Sequence, residues 1–470
     1  MIKPWIASLA LCAVASGQTF WPTKGWREAL PETQGIDSQV LAQVIDQRPA
    51  GLHSLLVIRH GYVVLDSYFY PFTSGSLHDA ASVTKSITSA IVGIAVDQGL
   101  IKTSQPAFPH SKITVENLLT MTPGLECGFR PGEQELAEMK LSANWVDYAT
   151  HLPVKYDPGT KYGYCSPGFH LLSSIVSAAA HTSELEFGRK YLFEPLGIKD
   201  IVWPSDPQGI THGWGNSHFY PRDFAKIGYL YLHGGQWEGK QILSADWIKR
   251  SITHHSDPRQ NVEYGYGWWL YNHQQPRSFE ANGRGGQKII VLPEQDAVIV
   301  MTGGGYDGSK ITPLLFQSIT SDKPLPKNPE AYKQLQSKSK DAAQVPKPGP
   351  AGIVGISFFN REYKLEPNSI RLEKIMLRNG EVKLTLLGSE LTVPVGLDGV
   401  YRTSPAGLLG IPLGAIGAWS TEKDFMLDLK FIANINHYTF AMKFYGDQLE
   451  ILANEASGLA KNLKITGRSY

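Results

Sequence analysis

Ser321 to Pro350 constrains this chain more than any other stretch, because it carries Pro324, Pro326, Pro329, Pro346, Pro348 and Pro350 amid Lys, Gln and Ser. Proline fixes φ and removes a backbone donor, and so polar a run buries too little apolar surface to offset the entropy of ordering it. The expectation is a linker over 321–350, with Ala331 to Gln336 a short helix inside it. It divides a larger domain, 18–320, from a C-terminal domain, 351–470. Two domains also suit the length, since 470 residues exceed what one small core organises.

A chain that is 42% hydrophobic and 19% charged reads as globular, and a formal net charge of +1 gives no electrostatic reason for a nucleic-acid or anionic-membrane partner. Residues 1–17 read as a signal peptide. Lys3 supplies the positive start, Trp5 to Ala15 the apolar run, and Ala13, Ala15 and Gly17 the small residues of a cleavage site. The run is shorter than the ~20 residues of a membrane-spanning helix. The expectation is a secreted or periplasmic protein with no membrane span after cleavage. The competing reading of the segment is an uncleaved anchor, and Cys12 only faintly resembles a lipid-attachment site. Cleavage removes Cys12 and leaves Cys127 and Cys165, which either bridge or stay as two buried thiols; spacing does not decide. No Cys–His cluster has metal-ligand spacing, and no cofactor is implied.

Hydrophobic periodicity gives the elements. His53 to Ile58 and Tyr62 to Tyr70 form a hairpin turned at His60-Gly61. Ile87, Ile91, Ile94 and Ala95 recur at helical spacing and Gly99 ends that helix. Ser183 with Glu186 caps another helix, and Pro221 opens a third. Lys288 to Leu292 and Ala297 to Thr302 are late strands turned at 293–296. Strands at both ends with helices between predict an α/β (α+β) domain, an antiparallel sheet flanked by a helical region. In the C-terminal domain, Asn379-Gly380 marks a hairpin, while Phe425, Leu427, Leu429 and Phe431 alternate with period two, as do Tyr438, Phe440, Met442 and Phe444. That predicts an all-β unit, a small barrel or sandwich, with no constellation of its own for catalysis.

Three segments carry chemistry. Ser82-Val83-Thr84-Lys85 opens the first long helix, where residues three apart share a face. A serine hydroxyl is a poor nucleophile until its proton is removed, and a lysine removes it only when burial and the positive helix end depress its pKa. The bland alternative is a plain N-cap serine, yet an N-cap favours Glu or Gln three residues on, where this chain has Lys85. Next, Tyr164 and Ser166 alternate around Cys165, so both can face one cleft. A tyrosine hydroxyl relays a proton provided a nearby cation lowers its pKa. Ser166, before Pro167, also suits an N-cap. Last, Gly283-Arg284-Gly285-Gly286-Gln287 leads into a strand; taken alone it reads best as a plain glycine-rich loop, while the functional alternative is that clustered glycines let a substrate backbone approach and backbone N–H groups complete an oxyanion hole with the Ser82 N–H. Trp214, Tyr264, Tyr266, Trp268 and Trp269 are candidates for a cleft lining, with ordinary packing the alternative; His254 and His255 read as solvated surface.

In this order, the three segments resemble the serine β-lactamase and penicillin-binding-protein superfamily, in its class C-like esterase and 6-aminohexanoate-dimer hydrolase branch. The resemblance covers roughly Leu52 to Thr320, with supporting stretches at Leu118 to Leu125 and Leu192 to Ile198. It implies a β-lactamase/transpeptidase-like fold and a serine hydrolase. Ser82 would be the acylated nucleophile, Lys85 its base, and Tyr164 the proton donor to the leaving group. Ser166 would orient Lys85 or the substrate, and the Ser82 and Arg284 N–H groups beside Gly283 would form the oxyanion hole. The chain departs from the family by having Ala281 where β-lactamases usually place Lys, a cation that holds the substrate carboxylate. That weakens the readings as a weak β-lactamase or a D-amino-acid peptidase and favours small ester or amide substrates, unless Arg284 or Lys288 substitutes. A non-catalytic binding or sensing protein is the reading from another class.

Overall fold

The computed structural model describes residues 19–469 other than 351, 353–354, 405–406 and 408–409. The expected signal peptide and Cys12 lie outside the described residues. Among these residues no helix is long and apolar enough to cross a membrane.

The hairpin forms as its sequence indicates. Leu52–Arg59 and Tyr62–Tyr68 pair antiparallel through His60 (φ 50°) and Gly61 (φ 74°), two left-handed residues in succession, as tight hairpins need. Ala297–Gly303 then pairs with Leu52–Arg59, so the two ends of the domain meet mid-sheet. Outward from it follow Gln287–Leu292, Ser278–Gly283, Trp269–Tyr271, Val262–Tyr264 and Ser256–Arg259. Every pairing in this nine-stranded sheet is antiparallel except Arg27–Glu28, which runs parallel beside Tyr62 and Val63.

Alternating strand residues feed two apolar layers, one on each face. Leu56, Ile58, Ile289, Val291, Val298 and Val300 pack with the helices Val83–Asp97, Ser166–Ala180 and Pro221–Leu232. Leu55, Val57, Ile290, Ile299 and Met301 pack with the helices Ser38–Asp46 and Ile311–Ser318. The expected antiparallel sheet and helical region are thus present, as a helix–sheet–helix sandwich. The Val83–Asp97 helix is buried all round from Val83 to Ala95, its polar residues Thr84, Lys85, Ser86, Thr88 and Ser89 included.

The proline-rich stretch differs from its expectation. A helix spans Pro329–Ala343, far longer than Ala331 to Gln336, and buries Ala331 and Leu335 against the Ser38–Asp46 helix. Pro329 occupies the first turn, where a missing N–H costs nothing, and Asn328 caps it by accepting from the Ala331 N–H. Composition marks a seam here, but part of the seam is packed structure.

The C-terminal domain is a barrel, which resolves the choice between barrel and sandwich. Nine strands form the ring: Glu362–Leu365, Leu372–Arg378, Glu381–Leu386, Ser389–Gly396, Leu413–Trp419, Asp424–Phe431, His437–Tyr445, Gln448–Glu455 and Leu463–Ser469. Eight of its joints are antiparallel. The ninth is parallel, at Val395 with Ala415 and Gly396 with Ile416. The short Arg402–Ser404 strand pairs beside it. Leu384, Leu427, Leu429, Phe440 and Ile451 fill the barrel as one apolar cluster.

Candidate active site

Ser82 stands at the N-cap of the Val83–Asp97 helix, but its hydroxyl makes no capping bond. Instead it lies 3.0 Å from Lys85 Nζ. That decides between the two sequence readings: the hydroxyl faces the amine one turn on rather than the helix end. Ser82 is half-buried, whereas Lys85 is 1% exposed. Its ammonium also donates to the Trp214 carbonyl at 2.8 Å and lies 4.7 Å from the Tyr164 ring centre. Burial pushes the Lys85 amine down to about 8, with the Glu133 carboxylate pulling the other way. The expected depression is present.

The helix is pinned by its own hydroxyls. Thr84 bonds to Ser217 (2.7 Å), Ser86 to the Gly267 carbonyl (2.6 Å) and Thr88 to the Gly213 carbonyl (2.9 Å). Before the helix, Ala81 takes φ 45°, an uncommon value for a residue with a Cβ. Asp79 Oδ1 holds it by accepting from the Ala81 N–H at 2.7 Å, and Ala80 N–H donates to the Ser217 carbonyl at 2.7 Å. Local hydrogen bonds therefore hold an unfavourable backbone angle directly ahead of Ser82.

Tyr164 is brought to the same place, its ring beside the Lys85 amine. Its pKa runs opposite to expectation. Burial, then the Glu133 carboxylate, hold the phenol well above its ordinary value, against an opposing pull from Ser82. At neutral pH Tyr164 is a protonated donor and no phenolate. Ser166 departs further from its expected role. It is the first helical residue, behind Cys165 at the N-cap, and its buried hydroxyl donates to Glu133 Oε1 rather than to Lys85. Glu133, itself at φ 51°, was not legible in the sequence. It follows Gly132 in a short turn with no motif to flag it.

Cys127 and Cys165 form a disulfide, with Cα atoms 5.1 Å apart. The question that spacing left open is closed in favour of the bridge. It fastens the residue between Tyr164 and Ser166 to the loop that leads to Glu133.

In the third segment the glycines serve the protein's own packing. A Cβ on Gly283 would lie 2.7 Å from the Ala80 carbonyl oxygen, so its absence lets the strand edge close on the Ser82 loop. A Cβ on Gly286 would run into the Tyr306 ring. Arg284 and Lys288 do not replace the missing cation at Ala281, which is fully buried. The Arg284 guanidinium bonds to Ser457 and to Asn436 Oδ1 (3.3 Å) on the barrel, and Lys288 bonds to Glu280 (2.7 Å) and Asn282 (3.1 Å). Of the aromatic candidates, Tyr264, Tyr266 and Trp268 belong to the core. Trp269 stacks on Tyr164 with ring centres 6.1 Å apart, and Trp214 lends its carbonyl to Lys85. His254 pairs with Asp257 at the surface as expected, whereas His255 is half-buried and stacks on Tyr266.

A family model described as Beta-lactamase matches residues 41–307, more than half of the chain. The chain belongs to the beta-lactamase family. This beta-lactamase-family member is 24% identical over 279 residues to the 6-aminohexanoate-dimer hydrolase of Paenarthrobacter ureafaciens, covering 53% of this chain and 71% of that one. Among solved structures it resembles a Bacillus anthracis homologue of 6-aminohexanoate-dimer hydrolase, with a TM-score of 0.52 and 20% identity over 68% of this chain and 87% of that one. EstCE1, a hydrolase with promiscuous acyltransferase activity, aligns with a TM-score of 0.51 and 14% identity over 60% of this chain and 99% of that one. These structural likenesses establish the β-lactamase/transpeptidase-like fold of the N-terminal domain. The family is one of serine hydrolases that includes esterases and 6-aminohexanoate-dimer hydrolase.

Proposed function

We propose that this protein hydrolyses ester or amide bonds of small molecules through an acyl-enzyme on Ser82. The observation that carries the proposal is the 3.0 Å approach of the Lys85 amine to a Ser82 hydroxyl free of capping duty. Neutral Lys85 takes the Ser82 proton as the oxygen attacks the substrate carbonyl carbon. The Ser82 and Arg284 N–H groups beside Gly283 receive the negative charge that develops on the carbonyl oxygen. Collapse breaks the bond to the leaving group, and Tyr164, held protonated, donates its proton to that group. The Lys85 ammonium returns a proton to Tyr164. Water then attacks the acyl carbon, and the same groups release the acid and restore Ser82. Ser166 holds Glu133, whose negative charge steadies the Lys85 ammonium once it forms.

Carboxylate-bearing substrates, such as β-lactams and D-amino-acid peptides, suit the site less well. Ala281 supplies no cation, and Arg284 and Lys288 are engaged elsewhere. A non-catalytic binding protein would have no use for so deeply buried an amine. Export to the periplasm or beyond is part of the same proposal, supported by the Cys127–Cys165 bridge, which persists in oxidising compartments. The division at 321–350 into a hydrolase domain and an appended domain belongs to it as well.

The test is Ser82→Ala in the full chain. Turnover of p-nitrophenyl esters and labelling by a fluorophosphonate probe should both vanish; labelling that persists at the wild-type level would refute the assignment.

A further inference from the structure

The barrel meets the hydrolase domain where the chemistry is. Two of its strand connections reach this place, while Tyr401, in a third, donates its N–H to the Tyr70 hydroxyl at 2.9 Å. One, residues 432–436, joins Asp424–Phe431 to His437–Tyr445; the other, 456–457, follows Gln448–Glu455. The first grips Asp79. The Asp79 N–H donates to the Ala433 carbonyl at 3.0 Å, and Asn434 Nδ2 donates to Asp79 Oδ2 at 3.0 Å. The second grips Arg284 through Ser457, with the buried Glu455 carboxylate 3.9 Å from the guanidinium. The contact is close: a Cβ on Gly285 would lie 3.1 Å from Ile435 Cβ.

Asp79 is the significant target. It is 3% exposed, and each carboxylate oxygen has one neutral N–H donor: Ala81 on Oδ1 and Asn434 on Oδ2. No Lys, Arg or His forms an ion pair with it among the described residues. Its orientation therefore depends on those two bonds together. The Asn434 amide is itself fixed, because its Oδ1 accepts from the Asn436 N–H at 3.1 Å and the residue is 8% exposed. Downstream, the Oδ1 bond holds Ala81 at φ 45°. Backbone rotation at Ala81 sets the plane of the next peptide, and that peptide carries the Ser82 N–H.

We propose that Asn434, supplied by the C-terminal barrel, is a positioning residue for the hydrolase site: it fixes Asp79, which fixes Ala81 and so aims the Ser82 N–H at the reacting carbonyl oxygen. The inference rests on the reading of Ser82 as the acylated nucleophile. It gives the barrel a role in the rate of the chemical step, separate from any role in covering the cleft or recruiting a partner. It also explains why an asparagine, one amide donor and one acceptor at opposite corners, sits at the tip of that connection.

The experiment uses the full chain and p-nitrophenyl esters, with active sites titrated by the fluorophosphonate probe so that rates are per competent site. Asn434→Ala should lower kcat by about ten- to a hundred-fold, below the full loss of an oxyanion donor, with KM changed by no more than about threefold. Asn434→Asp sets two carboxylates face to face and should be worse. The reciprocal pair Asp79→Asn with Asn434→Asp restores one donor and one acceptor between the two side chains, and should recover most of the rate lost in Asn434→Asp. A purely structural role would instead reduce the number of titratable sites and leave the rate per site intact. That result, or a wild-type kcat in Asn434→Ala, would overturn the inference while leaving the hydrolase reading untouched. Should Asn434→Asp fail to fold, the per-site rate of Asn434→Ala decides alone. A wild-type chain that neither turns over esters nor labels at Ser82 would overturn the hydrolase reading, and this inference with it.

Discussion

An amine as deeply buried as that of Lys85 is costly in its charged form, and the cost has a pH signature. With its pKa lowered from 10.5 to about 8, roughly half of the Lys85 side chains are neutral at pH 8, against about one in three hundred for an ordinary lysine. The acylation burst should therefore climb with pH and level off above about 8. A burst rate flat from pH 6 to 9 would assign the base elsewhere. Stability should move too. Between about 8 and 10.5 the unfolded chain holds a proton that the folded chain has released, so folding stability rises with pH across that window. Lys85→Met should remove that rise and slow turnover by several orders of magnitude, while leaving the fold intact by circular dichroism. Ser82 and Lys85 were legible because one helical turn makes neighbours of residues three apart, whatever the tertiary structure. Their other partners were not. Lys85 bonds to a main-chain carbonyl 129 positions away, and Asp79 to a side chain 355 positions away; neither leaves a mark in local spacing. The Tyr164 shift is no more local: its sign comes from burial and from Glu133, and both depend on packing.

Among the elements, the bridge between Cys127 and Cys165 bears most directly on the site. It closes a loop with a sequence separation of 38, for which chain entropy gives about 4 kcal/mol of stabilisation. Because Cys165 lies between Tyr164 and Ser166, loosening it should also disturb Tyr164, the proposed proton donor. The double variant Cys127→Ser, Cys165→Ser should melt earlier and turn esters over more slowly at temperatures where it is still folded. Unchanged kcat in the folded variant would confine the bridge to a stabilising role. The strands and hairpins were legible because a period of two and turn residues such as His60-Gly61 and Asn379-Gly380 are local signals. The Pro329–Ala343 helix is legible only in part. Its first-turn proline looks like a breaker, and its buried stripe is only Ala331 and Leu335, too sparse to stand out among lysines and glutamines.

For the whole molecule, the seam announced two domains, yet nothing in it announced that the second reaches back to the candidate active site of the first. The barrel itself contains a simpler lesson. Neighbours that alternate in direction return to their starting sense only after an even number of steps. A closed ring with an odd count of members must therefore include one pair heading the same way. Nine strands impose that mismatch here, and the chain places it at Val395–Ala415 and Gly396–Ile416, a joint only two residue pairs long. Heat or denaturant should unzip the cylinder there first, with deuterium entering those amides ahead of the long Asp424–Phe431 and His437–Tyr445 ladder. The loop that grips Asp79 links the two strands of that slow-exchanging ladder, so the barrel can breathe at its weakest joint without releasing the site.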